Sequence, residues 1–250
     1  MSGHSKWSTI KRKKGAVDAK RGQAFTKVAR EIIMAAKAGG GDSATNSRLR
    51  FAILKAKSVN MPSDNVKRAI ERAVGGADES QIEELTYEAY LYGGVAMIIE
   101  CMTDNKNRTL PEIKSILTKA GCTLAEKGAV SYLFHKRGLF IFNKEYSEDQ
   151  VMEIALRHDV EDILANDDGT IEVVVSVDHY EKLKEDFDTN KMVYGSAEIT
   201  MLPVSTVPID DLEIAKKIMG LIDKLENHDD VQNVFQNADI SDEILEGLEE

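Results

Sequence analysis

A chain of 250 residues with 42% hydrophobic content has room for about two domains with ordinary buried cores. Residues 1–14 are polar and basic, without the apolar run of a signal peptide, and no stretch approaches the roughly 20 apolar residues that span a bilayer; a cytoplasmic location and no membrane partner are expected. The net charge of −11 argues against nucleic acid only as an average, because residues 1–75 hold 17 Lys and Arg against 5 Asp and Glu, leaving 15 and 38 for the remainder.

In chain order, Phe25, Val28, Ala29, Ile32 and Ala36 recur at helical spacing and predict a helix over 16–37, stopped by Gly39-Gly40-Gly41. Leu49, Ala52, Ile53 and Ala56 predict a second helix over 46–58. A third opens at Pro62-Ser63, carries Val66, Ile70, Ala73 and Val74 inward and stops at Gly75-Gly76, with a linker over 77–80. Strands over 85–91 and 95–102 then form a hairpin about Tyr92-Gly93-Gly94. Next, Thr109 and Glu112 have capping-box spacing in a helix that starts within 105–109 and ends near Gly121. Two apolar strands, 130–134 and 139–142, flank Lys136-Arg137-Gly138, and Ser147 with Gln150 repeats the capping spacing ahead of a helix to about 158. A strand over 170–177, a helix over 179–187, extended chain over 191–202, a helix over 212–225, a strand over 230–236 and an acidic helical tail from 241 complete the chain. Helices first, then hairpin-linked strands mixed with helices, define an α+β multidomain protein with antiparallel sheets.

The chemistry-bearing features point to binding. Lys6, Lys11, Arg12, Lys13, Lys14, Lys20, Arg21, Lys27 and Arg30, with Arg48, Arg50 and Lys55 behind them, are the residues expected to neutralise phosphates. A solvated basic tail accounts for the first cluster alone, but not for the continuation of positive charge through three amphipathic helices. Trp7 either stacks on a base or packs the terminus down. No helix stands out as a base-reading face, so shape and backbone recognition of RNA fits as well as a helix-turn-helix on DNA. At the junction over 103–109, Lys106, Asn107, Arg108 and Thr109 offer an anion or RNA contact at a helix N-terminus, against a purely structural cap. Catalysis is not expected: His4, His135, His158, His179 and His228 are scattered, and no serine sits in a nucleophile elbow. Acidic pairs such as Asp167-Asp168 and Asp229-Asp230 follow no EF-hand pattern, and Cys101 and Cys122 lack zinc-site spacing. No cofactor and no metal are expected.

The chain resembles a known family through Gly3-His4-Ser5-Lys6-Trp7, Asp18-Ala19-Lys20-Arg21-Gly22 with Phe25-Thr26-Lys27, Asn60-Met61-Pro62 with Asp64-Asn65, Thr103-Asp104-Asn105 with Asn107-Arg108-Thr109, Gly128-Ala129-Val130-Ser131-Tyr132, and Asp229-Asp230-Val231-Gln232-Asn233-Val234. These look like the YebC/PmpR family of bacterial regulators and their mitochondrial translational-activator relatives. The resemblance implies three domains: a basic helical nucleic-acid-binding domain over 1–78, an α/β domain over 79–130 plus 205–250, and a third α/β domain over 131–204 inserted into the second. It implies no catalytic residues and a nucleic-acid-binding regulatory role, as a DNA-binding transcriptional regulator. The alternatives are a ribosome-associated, rRNA-binding translation factor that aids elongation at difficult sequences and, in another class, a scaffold that binds protein partners through its acidic domains.

Overall fold

The structure, a computed structural model, describes residues 19–75, 82–166 and 168–247. Three helices come first: α1 (Ala19–Gly39), α2 (Ser47–Ser58) and α3 (Ser63–Val74). The predicted stripes close on one another, burying Val28, Ile32, Ala35, Leu49, Ala52, Ala56 and Ala69. Asn46 locks the first turn. Its side chain accepts from Leu49 N at 3.0 Å as the N-cap of α2 and donates to Ala35 O and Gly40 O, both at 2.8 Å. Gly39 is needed beside it, since a Cβ there would lie 2.7 Å from Asn46 Nδ2. The expected linker over 77–80 lies outside the described residues.

The first sheet is built from β1 (Glu83–Tyr90), β2 (Ala96–Thr103), β3 (Thr123–Ala125) and β9 (Val231–Gln236), in the order β3-β1-β2-β9 with every pairing antiparallel. Strand β2 is buried on both faces. Met97, Ile99 and Cys101 pack against α4 (Lys106–Lys119) and α7 (Leu212–Glu226) through Ile113, Leu117, Ile218 and Ile222. Ala96 and Ile98 face a seam with Val130, Phe134, Met201 and Phe235. A short parallel pair, β8 (Val207–Ile209) with β10 (Ala238–Ile240), and α8 (Asp242–Gly247) complete this part.

The second sheet has the order β5-β6-β4-β7 and is also antiparallel: β4 (Phe134–Phe142), β5 (Val160–Ala165), β6 (Ile171–Val175) and β7 (Ser196–Pro203). Its core places Phe140, Phe142, Val173 and Val175 under α5 (Glu148–Ala155) and α6 (Val177–Thr189), with Val151, Leu183 and Phe187 facing them. All four strands fall between Phe134 and Pro203, and the chain enters and leaves beside itself, with Val204 N donating to Leu133 O at 2.8 Å. The α+β class with antiparallel sheets, and a third unit inserted in the second, are thus what the chain adopts.

Two local expectations are corrected. The interval 130–142 is not two strands about a Lys136-Arg137-Gly138 turn: residues Ser131–Leu133 form a single 3-10 turn and β4 runs unbroken through Gly138. Gly138 is there to admit a side chain, because a Cβ would collide with the Tyr180 ring and stand 2.9 Å from Val175 Cγ1. Nor is Thr109 a cap. Asn105 caps α4 by accepting from Arg108 N at 3.2 Å, which leaves Thr109 inside the helix and buried. The strands β3, β5 and β8, with three, six and three residues, carried too little alternation to be read.

Candidate nucleic-acid interface

The cations of α1 that face the first sheet meet the C-terminal end of α7. Helix ends leave carbonyls without intrahelical partners and carry the negative pole of the helix dipole, so cations belong there. Lys27 Nζ donates to Glu226 O at 2.6 Å, and Gln23 Nε2 donates to Asn227 O at 2.6 Å and Asp229 Oδ1 at 3.2 Å. Arg30 Nη1 reaches further, to Asp229 O at 2.6 Å, Asp230 Oδ1 at 3.1 Å and Met102 O at 3.2 Å.

Asp230 is the centre of this arrangement. Its side chain is 1% exposed, yet Oδ2 accepts from Arg108 Nη2 at 2.9 Å, from Thr109 Oγ1 at 2.8 Å and from Thr103 Oγ1 at 3.1 Å. Burial alone would raise its pKa, but the hydrogen bonds from Arg108, Thr109 and Thr103 outweigh that and hold the carboxyl below its ordinary value. Arg108 and Thr109 in the N-terminal turn of α4 are thus turned, through their side chains, to the chain's own Asp230. Lys106 pairs with Glu83 at 3.5 Å, and Asn107 is exposed.

An open cleft of about 840 Å³ lies beside this hub, lined by Arg30, Arg108, Glu112, His228, Asp229 and Asp230 among others. Glu112, His228 and Asp230 stand close enough to share a cation. The geometry opposes one: Arg30 and Arg108 already neutralise Asp230, while His228 Nδ1 accepts from Asp230 N at 3.1 Å and Nε2 lies 3.0 Å from Glu112 Oε2. A metal on Nε2 favours a protonated Nδ1 that donates onward; here Nδ1 faces a donor. Burial and neighbouring Asp230 push the Cys101 thiol up to about 12, so it is an inert core group.

The remaining cations singled out from sequence divide into two groups. Lys6, Lys11, Arg12, Lys13 and Lys14 lie outside the described residues, as does Trp7, and so do the side chains of Lys20 and Arg21 at the start of α1. Arg48, Arg50 and Lys55 are engaged internally: Arg48 pairs with Glu84, Lys55 with Glu31 at 2.8 Å, and Arg50 grips Glu181 of α6 through Nε at 2.7 Å and Nη2 at 2.8 Å. Phe51 adds an edge-on contact to Tyr180, with ring centroids 5.7 Å apart. The helical unit is thus fastened to both sheets through residues chosen for polyanions. Three cations outside the set expected to bind phosphates, Lys57, Lys67 and Arg68, are exposed and have no acid partner among the described residues. Asp230 was also missed as a site residue, read only as part of an acidic pair and of the Asp229–Val234 motif.

The fold and this site define a class: a multidomain α+β protein in which a basic helical unit is docked by ion pairs onto two antiparallel-sheet units. A family model described as the TACO1/YebC protein N-terminal domain matches residues 5–76, and one described as the TACO1/YebC second and third domain matches residues 82–238. The chain belongs to the TACO1/YebC family. A protein of Syntrophobacter fumaroxidans named "Probable transcriptional regulatory protein" is 47% identical over 249 residues, 99% of this chain and 100% of that one. One of Borrelia garinii subsp. bavariensis with the same descriptive name is 50% identical over 245 residues, 98% of this chain and 100% of its own. The crystal structure of a conserved hypothetical protein of Aquifex aeolicus superposes with a TM-score of 0.81 at 40% identity, covering 93% of this chain and 96% of that one.

Proposed function

We propose that the chain is a nucleic-acid-binding regulatory protein that works by binding and not by catalysis. The observation that carries the reading is the division of charge, 17 basic residues against 5 acidic over 1–75 and 15 against 38 thereafter. A polyanion is drawn to one end of such a chain and repelled by the rest, which orients it on contact. The names of the relatives support a role as a transcriptional regulator; that it acts on DNA, in the cytoplasm, through three domains bounded at 1–78, 79–130 plus 205–250, and 131–204, is part of the same proposal. Because Lys27, Arg30, Arg48, Arg50 and Lys55 are turned to internal partners, the phosphate contacts fall to Lys6, Lys11, Arg12, Lys13, Lys14, Lys20 and Arg21, joined by Lys57, Lys67 and Arg68.

The test is the salt dependence of binding to duplex DNA. Replacing Lys11, Lys13 and Lys14 by Gln should weaken binding to every sequence alike and flatten the slope of log K against log salt by about 0.9 for each phosphate that is no longer neutralised. An unchanged slope and affinity would remove the assignment. Co-purification with protein partners that withstands nuclease and high salt would instead favour a scaffold.

A further inference from the structure

The turn that carries Tyr132 is built with more care than its place in the core requires. Tyr132 is 68% exposed in a 3-10 turn whose flanks, Val130 at 0% and Phe134 at 4%, are buried in the seam between the sheets. Beneath it lies Glu88, itself only 4% exposed, which accepts from Gly128 N at 2.7 Å, Val130 N at 2.6 Å and Ser131 N at 2.9 Å. Tyr90 adds a fourth tie, donating from its hydroxyl to Ala129 O at 2.9 Å. On the far side the returning chain is fastened by Val204 N to Leu133 O at 2.8 Å, and Val204 is 63% exposed. A large aromatic ring is therefore held in water, on a backbone with little freedom to withdraw it.

We propose that Tyr132 is a stacking platform for an unpaired base of single-stranded RNA. This rests on the nucleic-acid reading above and adds a second contact, placed where the chain crosses between its two sheets. The choice of occupant comes from charge. The sequence after residue 75 is strongly acidic, yet this turn is bracketed by Lys127 and Lys136, both exposed and without an acid partner among the described residues, with exposed His135 between Tyr132 and Lys136. Glu126 is the one acid adjoining them in the chain, and Arg137 answers Glu161. Even fully extended, four or five residues span no more than about 14–18 Å, so both lysines lie within reach of a strand seated on the ring. An aromatic face with flanking cations is the pattern that holds single strands, since every base has a π-face and every linkage a phosphate. A duplex keeps its bases stacked on one another, whereas RNA loops, bulges and ends present them free.

The experiment uses the full chain and an oligonucleotide of about 12 nucleotides carrying 2-aminopurine, as single-stranded RNA, as single-stranded DNA of the same sequence, and as duplex. With wild type, RNA binding should change the 2-aminopurine emission. Tyr132→Ala should abolish that change and weaken RNA binding by roughly 5- to 150-fold, the range for loss of one stacked base; Tyr132→Phe should retain both, and duplex binding should not move. Lys127→Gln with Lys136→Gln should weaken RNA binding while preserving the emission change at saturation. Equal RNA affinity for wild type and Tyr132→Ala would overturn the proposal, and so would an equal loss on duplex. A loss confined to single-stranded DNA would overturn the choice of RNA. If wild type binds none of the three probes, the broader nucleic-acid reading has failed, a result distinguishable from failure of the platform alone.

Discussion

Two buried carboxylates organise this molecule in opposite ways. Asp230 is answered by side chains from two separate stretches of sequence, Arg30 from the helical unit and Thr103, Arg108 and Thr109 from the β2–α4 junction. Glu88 is answered by backbone, three N–H groups within four consecutive residues. In both, burial would raise the pKa and the donated hydrogen bonds more than reverse it, leaving each carboxyl below its ordinary value. The lesson lies in what each pairing fixes. A carboxylate held by distant cations joins units, while one held by successive amides shapes a single loop.

That contrast is broken most directly at Asp230. Asp230→Ala leaves Arg30, 21% exposed, and Arg108, 43% exposed, without the carboxylate that joins them, and because both arginines can turn partly to water the cost should fall at the low end for breaking a buried pair, about 3 kcal/mol. Denaturant unfolding should show this loss, together with faster proteolysis between the helical unit and the first sheet. Stability within error of wild type would mean that Arg30 and Arg108 find substitutes and that Asp230 does not join the units. Glu88→Gln is the matched change. It preserves shape but turns an acceptor-only group into one that presents an amide donor to N–H groups, and should cost about 1–3 kcal/mol. Its effect should stay local, with amide exchange accelerated over 128–131 and the Asp230 hub untouched.

The sequence made one of these carboxylates easier to suspect than the other. Asp230 precedes an apolar strand and lies in the Asp229–Val234 motif, but nothing in its neighbours says that Arg30, 200 residues away, will meet it. Glu88 alternates with Leu85, Tyr87 and Ala89 as a solvent-facing residue would, and becomes buried only because the 128–134 segment folds over that face of β1. Helices α1 to α3, the Tyr92-Gly93-Gly94 hairpin and α7 were legible because their periodicity is long and their stops are glycines. The unbroken run of β4 was not, because Gly138 reads as a turn until Tyr180 is seen to need its space. The same limit applies to the basic residues: charge spacing marks a cation, and only the fold shows that Arg48, Arg50 and Lys55 already have acids.

Acid sharpens the comparison with a smaller effect. A carboxyl whose folded pKa is lowered contributes stability that is fully present above the unfolded value, about 4, and is lost as pH falls through the folded value. Both Asp230 and Glu88 have this sign. The stability gap between wild type and Glu88→Gln should therefore be constant from about pH 7 to pH 5 and narrow below about pH 4. A gap that widens on acidification would reverse the assigned direction.

The smallest effect is expected where the helical unit meets the second sheet. Arg50 and Glu181 form a two-point contact in good geometry, but their side chains are 37% and 42% exposed, unlike Asp230 at 1%. Water and salt screen such a pair, so Arg50→Ala should leave the unfolding midpoint close to wild type and any difference should vanish at high salt. Phe51→Ala, which removes the edge-on packing against Tyr180, should destabilise more, and that effect should persist in salt because ring packing is not screened. A double-mutant cycle of Arg50→Ala with Glu181→Ala measures the pair itself. A coupling as large as the destabilisation from Asp230→Ala would show that exposure does not rank these interactions and that the helical unit is held as firmly to the second sheet as to the first.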